Sequence, residues 1–460
     1  MTGQAQPKRN WVLALTSVAS LMVALDTLVV STALTTIRVD LGASLEQLEW
    51  TVNAYNLSLA VLLLPAAALG DRFGRRRMFT AGLALFVAAS AACALSPGVD
   101  WLIAARAIQG VGAALVISLA LAIVSAAYPP ERRGGAIGIL EGITGLAVVG
   151  GPVLGGAIAD GIAWEWIFWV NVPIGLAVLP LVLGRIDESF GEDTALDLPG
   201  LALASGGGFG IVWGLVRGNT AGWDSFEVLG ALVAGALLLA AFVAWQLRAH
   251  EPMLPLGLFR SRAFSAGNVA TFALFASIFV GVFFIAQFLQ TGLGYSPLEA
   301  GLRLLPWTAL LFFVAPLAGG LADRIGERPL LVGGLALQAA GMGWLAFIAE
   351  PDLAYSALVL PLIVAGLGGS MAIPPAASAV LRSIPDSAIG KAAGANGTLR
   401  ELGGVFGIAI GVAVFAGAGS YASVAAFSDG FGAALAAAAI FSLAGAMGAL
   451  WVPSRRKGDS

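Results

Sequence analysis

The chain has 460 residues, 58% of them hydrophobic and 11% charged, with a formal net charge of −3. Soluble domains carry about 25% charged residues. Composition therefore excludes a soluble enzyme and points to an all-α integral membrane protein. The net charge says little, because membrane orientation follows the placement of lysine and arginine.

About fourteen apolar stretches are long enough for a helix to cross a bilayer core of about 30 Å. They lie near 12–34, 50–69, 78–95, 101–124, 135–158, 166–184, 198–216, 228–247, 267–290, 299–320, 330–349, 355–379, 392–415 and 430–452. They are too long and too evenly apolar for barrel strands. The first, from Trp11 to Leu34, exceeds a signal-peptide core and is read as a retained span. It carries Asp26, roughly 12 Å below its outer end at 1.5 Å per residue.

The second stretch opens on Trp50, contains Tyr55 and runs into the loop Gly70-Asp71-Arg72-x-Gly74-Arg75-Arg76-Arg77. Asp71 suits a neighbouring helix N-terminus. Gly74 permits a tight turn, and the arginines anchor among headgroups. Cys93, the only cysteine, reads as a small core residue and excludes an internal disulfide or a cysteine metal cluster. Arg106, in the fourth stretch, lies roughly 8 Å below the same outer face as Asp26. The matched depth lets the two pair, directly or through water.

Glu141 lies roughly 9 Å above the inner end of the fifth stretch. The run Gly151-Pro152-x2-Gly155-Gly156 follows it. Its glycines permit close helix contact and its proline a kink. The stretches at 198–216 and 228–247 follow an acidic segment and read as an inserted pair. Gln287 lies in the ninth stretch. Arg400 and Glu401 lie in the thirteenth, at an inner depth like that of Glu141. Neighbouring residues diverge by about 100° around a helix, so only one of these two can face a cavity squarely. Charge inside a span is costly, about 2.5–3.5 kcal/mol at the centre, so such residues are functional candidates.

Most of the 24 basic residues fall at the chain ends and in even-numbered loops, which places both termini in the cytoplasm. An internal repeat is visible. Leu69-Gly70-Asp71-Arg72-Phe73-Gly74 returns as Leu321-Ala322-Asp323-Arg324-Ile325-Gly326, and Gly110-Val111-Gly112 as Gly366-Leu367-Gly368. Both recur at an offset of about 250 residues. Two six-helix halves, 1–190 and 263–460, joined by an inserted pair and linker at 191–262, would produce this. A P-loop is absent, and the only histidine, His250, falls in a loop. ATP hydrolysis through that motif and a histidine proton relay are therefore excluded. No cofactor or metal is expected.

At this point the residues resemble a known family. Gly70-Asp71-Arg72-x-Gly74-Arg75-Arg76 resembles the loop signature of the major facilitator superfamily. Leu25-Asp26-Thr27, Trp50-x4-Tyr55, Arg106-x2-Gln109-Gly110-x-Gly112, Gly151-Pro152-x2-Gly155-Gly156, Trp166-Ile167-Phe168-x2-Asn171-Val172-Pro173 and Leu258-Phe259-Arg260-x3-Phe264 narrow the likeness to its fourteen-spanner drug:proton antiporters. The resemblance implies the major facilitator fold in the cell's inner membrane. It implies proton-coupled efflux of amphipathic drugs, antibiotics or toxic metabolites by alternating access. It associates Asp26 and Arg106 with coupling, and the proline-glycine segment with limiting proton leak. Departures at Thr35, Ala147, Glu165, Arg303 and Glu401 bear on substrate more than on fold.

Proton coupling is accordingly expected from Asp26, Arg106, Glu141 and Glu401. Substrate contact is expected from Asp26, Glu141, Trp50, Tyr55, Gln287 and Glu401, and conformational roles from Gly70, Asp71, Arg72, Gly74, Arg75, Gly151, Pro152, Gly155 and Gly156. The expected partners are a small amphipathic substrate, protons and lipid, with no nucleic acid and no second subunit. Export or flipping of lipid or surface intermediates is the alternative. A nutrient symporter and a non-transporting sensor rank below it.

Overall fold

The computed structural model describes residues 5–191, 197–250, 252–382, 384 and 389–453. Among them the regular structure is helical, without strands. The helices are α1 (Ala5–Leu41), α2 (Leu45–Phe73), α3 (Arg75–Ala94), α4 (Val99–Ala127), α5 (Pro130–Gly161), α6 (Trp166–Trp169), α7 (Asn171–Arg185), α8 (Leu198–Ala221) and α9 (Phe226–Gln246). They continue with α10 (Arg262–Gln287), α11 (Pro297–Arg303), α12 (Leu305–Thr308), α13 (Leu310–Ile325), α14 (Glu327–Phe347), α15 (Tyr355–Leu381), α16 (Ile389–Ala418) and α17 (Val424–Ala449). Among the described residues, 12 helical runs are individually long and apolar enough to cross a membrane.

Two further runs are bent. In α2 the break at residue 64 turns the helix by 53°, and in α5 a break at residue 149 turns it by 41°. Each break sits just before a helix-interior proline, Pro65 and Pro152. A proline ring displaces the carbonyl four residues earlier, so the bend falls on the N-terminal side of the proline.

Two compact units divide the chain. One comprises Met1–Ser205 with Arg248–Met253, the other Gly206–Leu247 with Leu254–Ser460. The helix pair α8–α9 thus falls mostly in the second unit. It is closely packed, since a Cβ at Gly210 would lie 3.0 Å from the Gly235 Cα.

The sequence repeat has a physical counterpart inside each unit. Gly74 separates α2 from α3 with φ 103°, and Gly326 separates α13 from α14 with φ 87°. Both are left-handed conformations that favour glycine. Gly82 meets Gly112 where α3 crosses α4, and Gly334 meets Gly368 where α14 crosses α15. Large apolar side chains such as Leu237, Phe313, Leu317 and Phe347 remain exposed, which suits a surface bathed in lipid.

Candidate functional site

The first unit encloses a buried polar network centred on Asp26. Arg106 on α4 donates from Nη1 to Asp26 Oδ2 on α1, forming a direct ion pair. Gln109 Nε2 and Asn171 Nδ2 each donate to Asp26 Oδ1 at 2.9 Å. Both amides also donate to Ser90 Oγ, at 3.3 and 3.0 Å, and Ser90 donates to the Phe168 carbonyl at 2.9 Å. Arg106 donates a second bond from Nη1 to Gln109 Oε1 at 2.8 Å, and Nε reaches the Thr51 carbonyl on α2 at 3.1 Å. Its guanidinium lies 4.1 Å from the centre of the Tyr55 ring. Asp26 is 2% exposed and Arg106 1%, so the pair is sealed from water.

Each contact to the carboxyl group comes from a donor, the arrangement that suits its ionised form. Asp26 on α1 bonds side chains of α4 and α7, and the network around it extends to α2, α3 and α6. Arg106 and Gln109 face the network while the glycines after them serve packing. A Cβ at Gly110 would run into the Tyr55 carbonyl, and one at Gly112 would lie 2.6 Å from the Phe86 nitrogen. The motif thus lets α4 approach α2 and α3 closely enough for its long side chains to reach Asp26.

The proline-glycine segment of α5 packs on the neighbouring stretch of α1. A Cβ at Gly151 would lie 2.7 Å from Leu28 Cβ, and one at Gly155 would lie 2.5 Å from both Thr32 Oγ1 and the Val29 carbonyl. Pro152 and Gly156 are buried in the same helix. This seam begins within one turn of Asp26, so a change in α5 packing reaches the helix that carries the acid.

The remaining sequence candidates divide. Tyr55 belongs to the network: its hydroxyl donates to the Val23 carbonyl at 3.3 Å. Trp50, one turn earlier, is buried. The side chain of Glu141 lies outside the described residues. Gln287 and Glu401 belong to the second unit. The Gln287 Oε1 accepts from the Tyr421 hydroxyl, and its Nε2 donates to the Phe283 carbonyl at 2.9 Å. Arg400 Nε donates to Glu401 Oε1 at 3.0 Å, so these neighbours pair with each other. Sequence reasoning gave no role to Ser90, Gln109 or Asn171. Their signal was a polar side chain within an apolar span. It also passed over Glu49, a fully buried acid on α2 whose Oε2 has no hydrogen-bond partner among the described residues. Such an atom costs about 1–3 kcal/mol when left unpaired.

A family model described as Major Facilitator Superfamily matches residues 16–408. The chain belongs to the Major Facilitator Superfamily. Membership makes it a multi-pass transporter rather than an enzyme. Among its relatives is the tetracenomycin C resistance and export protein of Streptomyces glaucescens, 36% identical over 405 residues, which cover 87% of this chain and 75% of the relative. The cephamycin export protein of Amycolatopsis lactamdurans is 34% identical over 440 residues, 94% of this chain and 90% of the relative. Among solved structures, a D-xylose-proton symporter has a TM-score of 0.69 at 17% identity, covering 96% of this chain and 98% of its own. That last likeness is one of fold.

In this Major Facilitator Superfamily chain the loop after α2 is clasped by the segment following α7. Asp71 Oδ1 accepts from Arg75 Nε at 2.7 Å, and the Arg75 nitrogen donates to the Ser189 carbonyl at 2.9 Å. Glu188 Oε1 accepts from the Arg76 nitrogen at 2.8 Å, and its Oε2 lies 3.6 and 3.7 Å from Arg76 Nε and Arg77 Nε. A Cβ at Gly74 would lie 2.8 Å from the Glu188 carboxyl carbon, so glycine serves both turn and clasp. Arg76, read from sequence as a headgroup anchor, instead holds an acid of the same unit. Asp71→Asn and Glu188→Gln should each slow maximal transport and spare equilibrium substrate binding. Loss of a partly exposed pair worth about 1 kcal/mol would amount to roughly fivefold. A variant with normal turnover and lost binding would contradict this.

Proposed function

We propose that this transporter exports amphipathic drugs, antibiotics or toxic metabolites in exchange for protons, by alternating access. The observation that carries the reading is the sealed Asp26–Arg106 ion pair, buried among spans in a hydrogen-bond network that ties six helices together. An intramembrane acid held this way suits proton carriage. A proton on Asp26 removes the charge that holds Arg106, so protonation loosens the α1–α4 ion pair and is bound to helix movement. The α5–α1 glycine seam beside it gives that movement a route. The functions for which the relatives are named, resistance and export, support efflux over uptake.

Within this reading each bent pair is a single span. That makes fourteen in all: two six-helix halves, with α8 and α9 as the inserted pair. Both termini lie in the cytoplasm and the chain works as a monomer in the plasma membrane. The test uses proteoliposomes with an imposed pH gradient and a panel of amphipathic antibiotics. Substrate and protons should move in opposite directions. Co-directional movement, or transport indifferent to the gradient, would defeat the antiport reading.

A further inference from the structure

The second unit holds a polar junction that no charge marks. Ser277 on α10, Gln338 on α14 and Ser442 on α17 are each fully buried. Ser277 Oγ, Gln338 Oε1 and Ser442 Oγ have no hydrogen-bond partner among the described residues. The Gln338 Nε2 reaches the Leu274 carbonyl on α10 only at 3.5 Å, a weak bond. Packing brings the three residues to one level. A Cβ at Gly445 of α17 would lie 2.9 Å from Ala273 Cβ on α10 and 3.3 Å from Leu335 Cδ2 on α14, so the three helices meet there. Gly448 meets Val269, and Gly343 meets Ala439, so α17 runs antiparallel to the other two. Ser277 stands one turn after Ala273, Gln338 one turn after Leu335, and Ser442 one turn before Gly445. All three steps lead the same way, into the next layer of the junction. Gly369 of α15 leaves room beside the Gln338 oxygen, since a Cβ there would lie 3.2 Å from Oε1.

Two hydroxyl groups and an amide oxygen offer donors and acceptors together. None of them bonds another, so the partner that satisfies them has to give and take hydrogen bonds at once. A cation would leave the hydroxyl protons unbonded, and no acid is placed to balance its charge. The nearest charged residues along these helices, Arg262, Arg328 and Asp429, stand at least ten positions away. We propose that this junction binds ordered water. A buried water typically makes about three hydrogen bonds to groups otherwise unsatisfied, and the junction supplies three such atoms. The proposal goes beyond the export reading and does not depend on it. In the first unit Ser90 joins the Asp26 network from α3, the helix that α14 repeats. The first unit is thus tied by charge, and the second by water. Water exchanges partners when helices slide, so this junction stays satisfied through a movement that would break a fixed side-chain pair.

The test is radiolytic labelling of the full chain in detergent, read by mass spectrometry. Met342 is the reporter. It is fully buried, one turn after Gln338, and a Cβ at Gly281, one turn after Ser277, would lie 2.9 Å from its Cε. X-ray pulses cleave water wherever it stands, bound water included. Photolysis of hydrogen peroxide makes hydroxyl radicals in bulk solvent. Either source converts methionine to its sulfoxide. Met253, partly exposed between α9 and α10, is the reference and should be labelled by both. Met342 should be labelled by X-rays and not by peroxide photolysis. The triple variant Ser277→Ala, Gln338→Leu, Ser442→Ala should lose the X-ray label at Met342 and keep the label at Met253. The milder pair Ser277→Ala, Ser442→Ala should reduce it, which keeps the test alive should the triple variant fail to insert. A wild type without the X-ray label at Met342 overturns the proposal, as does a label that survives the removal of the polar groups. Equal labelling by the two sources overturns it as well, because bulk solvent would then reach the junction. A label that appears only when sodium is replaced by choline overturns it too, and assigns the site to a cation.

Discussion

Asp26→Asn should abolish gradient-driven transport and proton release on substrate addition. The amide matches the carboxylate in size, and Gln109 and Asn171 can still donate to its oxygen. What it cannot do is carry a proton in and out. Exchange of substrate for substrate, which moves no net proton, should continue. The structure adds a cost. Arg106 cannot discharge itself, because a guanidinium stays protonated in proteins. Removing the acid leaves a buried cation without its counter-ion, a change worth about 3–5 kcal/mol. Asp26→Asn should therefore unfold at a lower temperature than wild type. Combining it with Arg106→Gln should restore stability without restoring coupling. That separation is the test, measured by thermal unfolding and by proton release in detergent. A single mutant releasing as many protons as wild type would move the carrier elsewhere, to Glu49 first.

Much of this architecture was legible because membranes impose simple rules. Apolar length marked the helical runs, and glycines of the repeat marked turns and crossings that recur within each unit, as Gly74 and Gly326 show. Asp26 and Arg106 were paired from depth alone, since a span of known direction converts residue number into height. Side-chain amides stand in the sequence only as motif positions, without a role. Gln109 and Asn171 are neutral, so no charge drew attention to them, and only the fold brings them together at Ser90. Glu49 was lost at a boundary. The apolar stretch begins at Trp50, but the Ser44 capping box, with Gln47 closing it, starts α2 at Leu45. The acid therefore sits a full turn inside the helix. Gln287 was expected to meet substrate, and its amide is engaged by Tyr421 and the Phe283 carbonyl. Phe283 lies one helical turn earlier on the same helix, but Tyr421 is 134 residues away, a pairing that periodicity does not reveal.

Arg106→Ala should cost less stability than Asp26→Asn and nearly as much transport. The asymmetry follows from chemistry. An acid left without its cation can neutralise itself by taking a proton, and Gln109 and Asn171 remain to bond it. The folded network thus survives with a protonated Asp26, but nothing then drives the proton off when substrate arrives. Transport should fall by at least about tenfold, the scale set by one lost charge-assisted bond. Arg106→Lys is the sharper variant. It keeps the charge, yet a single ammonium nitrogen cannot reach Asp26 on α1 and the Thr51 carbonyl on α2 together, as Nη1 and Nε do. Nor does it offer the flat face that lies 4.1 Å from the Tyr55 ring centre. Lysine should therefore restore thermal stability more than transport, because the arginine joins two helices as well as balancing a charge. The measurement is transport rate and its pH profile in Arg106→Ala and Arg106→Lys side by side. Full activity in the lysine variant would reduce Arg106 to a counter-ion, and unchanged activity in the alanine variant would reduce the pair to packing.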